Sequence, residues 1–170
     1  MTMNIRLAEY SDIDEIMELY SEARKFMKAA GNPDQWKDNY PSRELIESDV
    51  KVGSLYVCTE NKEIIASFFF VIGLDPTYIK IYRGKWLDDN DQYGVIHRVA
   101  VKIHGKGIAD KIYRFCSGLT ASIRIDTHKD NKPMQRSLEK NGFEKCGIIY
   151  LKNGEERIAY QRIKNDAKIY

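Results

Sequence analysis

His97-Arg98-Val99-Ala100-Val101-Lys102-Ile103-His104-Gly105-Lys106-Gly107-Ile108-Ala109 sends an apolar strand into a loop with two glycines and then into a helix. Glycine accepts left-handed backbone at little cost, so consecutive N–H groups in such a loop can point into one space. The first N–H groups of the following helix have no partner inside it, and the helix dipole adds partial positive charge there. A corner of this kind suits a phosphate. Gly-x-Gly alone also fits a plain tight turn. The loop is not a P-loop, because G-x-x-x-x-G-K-S/T is absent, and it lacks the third glycine of G-x-G-x-x-G.

Upstream of this stretch, Ile5 to Ala8 reads as a short strand. Ser11 is expected to cap a helix, with Asp14 at capping-box spacing. Ile13, Ile16, Met17 and Tyr20 recur at helical spacing, and Gly31-Asn32-Pro33 stops the helix near Ala30. A second helix fits Ser42 to Val50. Leu55 to Thr59 and Ile64 to Ile72 read as a hairpin turning at Asn61-Lys62. Leu74 to Gln92 is irregular, and Tyr93 to Val101 is a buried strand. Downstream, Ile108, Ile112, Phe115 and Leu119 mark one helix face, followed by a strand at Ser122 to Thr127 and a helix from about Lys132 to Lys140. Asn141-Gly142 stops that helix in the left-handed manner. Two last strands, near Phe143 to Leu151 and Arg157 to Ile163, flank Asn153-Gly154, which has type I′ character. Strand-loop-helix-strand in the middle and hairpins on either side predict an α/β chain with a mixed sheet, not two doubly wound dinucleotide-binding halves.

The bulk properties narrow the function. One domain over residues 1–170 is expected from the length. The composition, 43% hydrophobic and 31% charged, is that of a chain able to form a core. A net charge of +2, with no long run of one sign, argues against nucleic acid or a membrane surface as partner. Cys58, Cys116 and Cys146 form no C-x-x-C pair, so neither a disulfide framework nor a zinc site is expected, and no metal is called for. The first ten residues show no signal-peptide pattern, and the longest mostly apolar run, Ile64 to Leu74, is far short of the ~20 residues of a membrane helix. A cytoplasmic protein is the expectation.

With those residues in view, the glycine loop resembles motif A of the GNAT acetyltransferases, Arg/Gln-x-x-Gly-x-Gly/Ala after a strand. The pattern falls on His104 to Ala109; Gly107 and Ala109 match, while His104 stands where the family usually has Arg or Gln. A second likeness lies downstream. Asn131 opens the next helix, and Leu138-Glu139-Lys140-Asn141-Gly142-Phe143 resembles the family's Tyr-Glu-Lys-x-Gly-Phe run, with Leu138 in place of Tyr. The opening strand and the Asp12 to Tyr20 helix are similar as well. The resemblance spans nearly the whole chain and implies a mixed sheet of about six to seven strands flanked by about four helices.

The resemblance also implies acetyl-CoA as co-substrate and an N-acetyltransferase acting on a primary amine of a small molecule or a peptide end. Val99, Ala100 and Val101 would face the pantetheine and thioester through their backbones, His104, Gly105, Lys106, Gly107, Ile108 and Ala109 would hold the pyrophosphate, and Asn131 would touch the pantetheine arm. An alkyl ammonium has a pKa near ~10.4, so a proton acceptor is needed. His97 is the candidate base, with Asp126 and His128 as rivals; a structural strand position and turn chemistry are the respective alternatives. Gln35 and Trp36, after the first helix, could wall the acceptor, or Trp36 could simply fill the core. In many members the missing Tyr protonates the departing thiolate, so a non-catalytic acyl-CoA-binding sensor of the same fold is the alternative function. Family members often pair as homodimers, an assembly the resemblance leaves open.

Overall fold

The computed structural model describes residues 2–164. In chain order its elements are β1 (Asn4–Leu7), α1 (Ile13–Ala29), α2 (Arg43–Lys51), β2 (Leu55–Glu60), β3 (Glu63–Ile72), β4 (Gly94–Val101), α3 (Ile108–Ser117), β5 (Ser122–Thr127), α4 (Lys132–Lys140), β6 (Glu144–Tyr150) and β7 (Glu156–Ile163). The strands make a mixed sheet in the order β1-β2-β3-β4-β5-β7-β6. The β4–β5 pair is parallel, and the β1–β2, β2–β3, β5–β7 and β6–β7 pairs are antiparallel. The α/β expectation with a mixed sheet is therefore met. None of the described helices is long and apolar enough to cross a membrane.

The chain divides into two compact units. One comprises the residues up to Phe70 together with His97–Ala109, and the other Val71–Ile96 together with the residues from Asp110 onward. In the first, α1 buries Ile13, Ile16, Leu19 and Tyr20, the face its 3.6-residue spacing marks out. These pack with Ile46 of α2, Leu55 and Val57 of β2, Ile64 of β3 and Ala100 of β4. Ser42 caps α2 by accepting the Leu45 N–H at 3.2 Å. Asn61 (φ 51°) and Lys62 (φ 68°) both adopt the left-handed conformation that a two-residue hairpin turn demands.

In the second unit Tyr78, Tyr93, Val95, Ile149 and Ala159 form the core, with Trp86 packed against it. The Arg124 guanidinium lies 4.0 Å from the Tyr93 ring centroid and 4.3 Å from that of Trp86. Cation–π contact and a bond to the Asp88 carbonyl at 3.1 Å compensate the buried charge. At the end of α4, Gly142 has φ 80° and Phe143 N–H returns to the Leu138 carbonyl at 3.0 Å, as the Asn141-Gly142 stop requires. All three cysteines are free and buried.

Three local expectations are corrected. The capping box does not use Ser11 and Asp14; a 3₁₀ turn over Tyr10–Asp12 precedes α1, and Asp12 accepts the Glu9 N–H at 2.8 Å. Asp12 is pinned there by Arg6, at 2.7 and 3.0 Å. On α3 the buried residues are Ile108, Ile112, Tyr113 and Cys116, whereas Leu119 lies past the helix end and is exposed. Asn153-Gly154 is not a two-residue I′ turn. Only Gly154 of the pair is left-handed (φ 84°), and the loop closes through Leu151 N–H to the Glu155 carbonyl at 2.9 Å, with Asn153 Oδ1 capping Glu155 N–H.

Candidate functional site

β4 is irregular at one residue. Arg98 has φ 53°, a left-handed conformation inside a strand, where a side chain costs roughly 1–2 kcal/mol. Its surroundings hold it from several directions. The buried Tyr20 hydroxyl donates to the Arg98 carbonyl at 2.8 Å. The guanidinium donates to Asp49 Oδ2 at 2.5 Å and to the Tyr40 hydroxyl at 3.2 Å, and it sits 4.7 Å from the Phe69 ring centroid. Both partners of the ion pair are nearly buried, at 10% and 7% exposure of their side chains. Burial pushes the Asp49 carboxyl up in pKa, against the pull of Arg98; burial also lowers Arg98, and its neighbours Tyr40 and Asp49 more than restore it. The contact of the guanidinium with Asp49 Oδ2 has the geometry of an ion pair. Arg98 Nε is buried without a hydrogen-bond partner among the described residues, a further cost at this position.

His97 is the residue before Arg98. It is half-buried, with its ring centroid 5.9 Å from that of Phe69. Trp36 meets Tyr20 edge-on at 5.6 Å and Tyr40 at 6.4 Å, and it packs half-buried against the core of the first unit. Gln35 accepts from Asn32 Nδ2 at 2.9 Å. The first unit thus gathers His97, Arg98, Asp49, Tyr40, Trp36 and Phe69. Val99 and Val101 are half-buried and Ala100 is buried.

The glycine loop has the backbone its sequence requires. Gly105 has φ 76° and Gly107 φ 68°, and a Cβ on Gly105 would meet nothing within 4 Å. Lys106 is exposed, while Ile108 and Ala109 carry the chain into α3. His104 stacks on Phe26 of α1, with ring centroids 3.6 Å apart and 12° between planes. Burial lowers its pKa, so near neutral pH the imidazole is an uncharged stacking partner. Two left-handed glycines with open space beside one of them, leading into a helix N-terminus, fit a pyrophosphate.

The rival bases lie in the second unit. Asp126 Oδ2 accepts the Tyr78 hydroxyl at 2.6 Å. Tyr78 is fully buried, and desolvation holds its phenol well above the ordinary value. His128 Nδ1 accepts the Asp130 N–H at 3.0 Å. Asn131 Oδ1 accepts the Met134 N–H at 3.1 Å and so caps α4. The structure therefore places His97 with Trp36 in one unit, and Asp126, His128 and Asn131 in the other. Trp86 belongs to the core of the second unit and donates to the Tyr78 carbonyl at 2.9 Å. The described residues contain no group of three His, Cys, Asp or Glu side chains able to hold a metal.

Leu138 is fully buried on α4. Leu138→Ala should cost about 2–5 kcal/mol through the cavity it leaves, with turnover per folded molecule little changed. Thermal unfolding and activity of the folded fraction check this; a pH-dependent loss of turnover at intact stability would give the position a chemical role.

Sequence reading missed the clamp on Arg98. A left-handed arginine has no local signature. Asp49 does leave one, since it lies three residues after buried Ile46, on the apolar face of α2.

No protein-family model matches the chain, and no curated protein sequence matches it. Solved structures do. A GNAT-family acetyltransferase from Streptococcus agalactiae 2603 superposes with a TM-score of 0.88 at 36% identity, covering 96% of this chain and 96% of that one. A Staphylococcus aureus Mu50 protein provisionally assigned as an acetyltransferase gives 0.70 at 28% identity, over 94% and 97% of the two chains. A GNAT-family acetyltransferase from Listeria monocytogenes 4b F2365 gives 0.70 at 19% identity over 95% and 94%, a likeness of fold. With more than a third of its residues shared with the streptococcal structure across almost all of both chains, this chain belongs to the GNAT family of acetyltransferases.

Proposed function

We propose that the protein transfers an acetyl group from acetyl-CoA to a primary amine of a small molecule or a peptide end. The observation that carries this is β4 running, past its left-handed Arg98, into a loop of two left-handed glycines and the N-terminus of α3. Gly105, Lys106, Gly107 and the first N–H groups of α3 would hold the pyrophosphate, and Asn131 the pantetheine arm. When bound, acetyl-CoA supplies an acyl group already activated as a thioester. The chain's own work is then to orient the amine and take its proton. His97 takes that proton in this scheme. Asp126, whose Oδ2 accepts the Tyr78 hydroxyl, and His128, whose Nδ1 accepts the Asp130 N–H, are the alternative candidates.

A thiol-release assay over a panel of amines, run beside calorimetric titration with coenzyme A, tests the proposal. Release above the amine-free rate with at least one amine is expected. Tight coenzyme A binding with no release for any amine would favour the sensor reading, for which buried Leu138 in place of a tyrosine is the supporting observation.

The acceptor is expected against Trp36 and Tyr40, apolar and aromatic groups suited to a small ligand. Trp36→Ala should raise the acceptor KM several-fold with the acetyl-CoA KM unchanged, and cost about 1–3 kcal/mol of stability from its half-buried packing. Parallel shifts in both KM values would make Trp36 a core residue only.

A further inference from the structure

Arg98 is the one residue among the described strands' interiors for which φ is left-handed without glycine's freedom, and four contacts from four different segments converge on it. Strained backbone of this kind persists only where its surroundings over-determine it. Here the carbonyl is held by Tyr20 of α1, the guanidinium by Asp49 of α2 and by Tyr40, and its face by Phe69 of β3. A left-handed residue within a strand turns the next peptide plane out of the regular ladder and re-aims its neighbours. The neighbours are His97 and Val99. The clamp therefore sets the direction of the candidate base and of the backbone N–H that follows.

We infer that Asp49 is a positioning residue for acetyl transfer: through its ion pair with Arg98 it holds that residue of β4 in the left-handed conformation. This rests on the acyl-transfer reading of the site. Arg98 has a charge that stays buried only with Asp49 beside it, and the same pair ties the strand to α2. Asp49 is ion-paired to Arg98 and its charge also reaches His97; the positioning role is the part that runs through Arg98, and it is the part that glycine at 98 can restore. Tyr20 supports the same residue from the backbone side.

Three variants test this. Asp49→Asn keeps the volume and removes the charge. It should lower kcat about tenfold, with the KM for acetyl-CoA within about twofold of wild type. Arg98→Ala and Arg98→Gly are then each made in the Asp49→Asn background, so that no lone buried charge remains. Alanine resists φ 53° and should leave kcat at the low level or below it. Glycine accepts that φ without any clamp, so Asp49→Asn/Arg98→Gly should recover kcat to within about threefold of wild type. A residue needed only for packing would give the opposite order, because glycine weakens a strand interior more than alanine does. Glycine no better than alanine, or an Asp49→Asn effect confined to melting temperature, would overturn the inference.

A readout independent of turnover separates this from the function itself. The intraresidue HN–Hα NOE of residue 98 is strong at positive φ. It should be strong in the wild-type protein and weaken in Asp49→Asn. An unchanged NOE overturns the clamp even in an active enzyme. A wild-type protein that releases no thiol with any amine, but whose NOE weakens in the variant, keeps the clamp and refutes the acyl-transfer reading.

Discussion

Gly107→Glu should reduce coenzyme A affinity by at least about 100-fold while the protein still folds. Gly107 has φ 68°, so any side chain there carries a strain of roughly 1–2 kcal/mol. That alone does not remove binding. The larger effect comes from placing a carboxylate where the proposed pyrophosphate meets backbone N–H groups. Gly107→Gln has the same volume and the same backbone strain without the charge. Both variants should bind more weakly than wild type, with Glu the weaker of the two. The gap between them should narrow as salt is raised, since screening shortens the reach of the repulsion. Calorimetric titration at two ionic strengths measures it, with circular dichroism reporting the fold. Wild-type affinity in the Glu variant would remove the loop from the coenzyme site.

Much of the fold could be read from local chemistry. The hairpin at Asn61-Lys62, the α4 stop at Gly142 and the apolar face of α1 follow from turn residues and periodicity acting over a few positions. The strand at Ser122 to Thr127 matches β5 residue for residue. Where the reading slipped, a distant partner decided. Asp12 displaces Ser11 and Asp14 as the capping group because Arg6 of β1 holds it. Leu119 falls off the apolar face of α3 because the helix ends at Ser117, with Gly118 following. Likewise, His104 was legible as a departure from the motif, but its stacking on Phe26, across more than seventy residues of sequence, was not. The clamp on Arg98 draws on α1, α2 and β3 together, and no window of sequence holds all of them. Local codes set turns and faces; contacts between distant segments set the strained residue of the candidate site.

His97→Ala should lower kcat by roughly 10²–10⁴-fold, the usual span for loss of a general base, with coenzyme A affinity nearly unchanged. The three candidates differ in their surroundings. Asp126 Oδ2 accepts a 2.6 Å bond from the buried Tyr78 phenol. His128 has Nδ1 engaged by the Asp130 amide and its side chain only 11% exposed. His97 is half-buried and lies beside the one strained residue of β4, against the aromatic face of Phe69. The comparison needs a saturating acceptor found in the amine panel and a measured melting temperature for the variant. A loss of less than about threefold would move the base to Asp126, to His128 or to a water path. Asp126→Asn and His128→Ala, measured beside it, would then identify which of the three takes the proton.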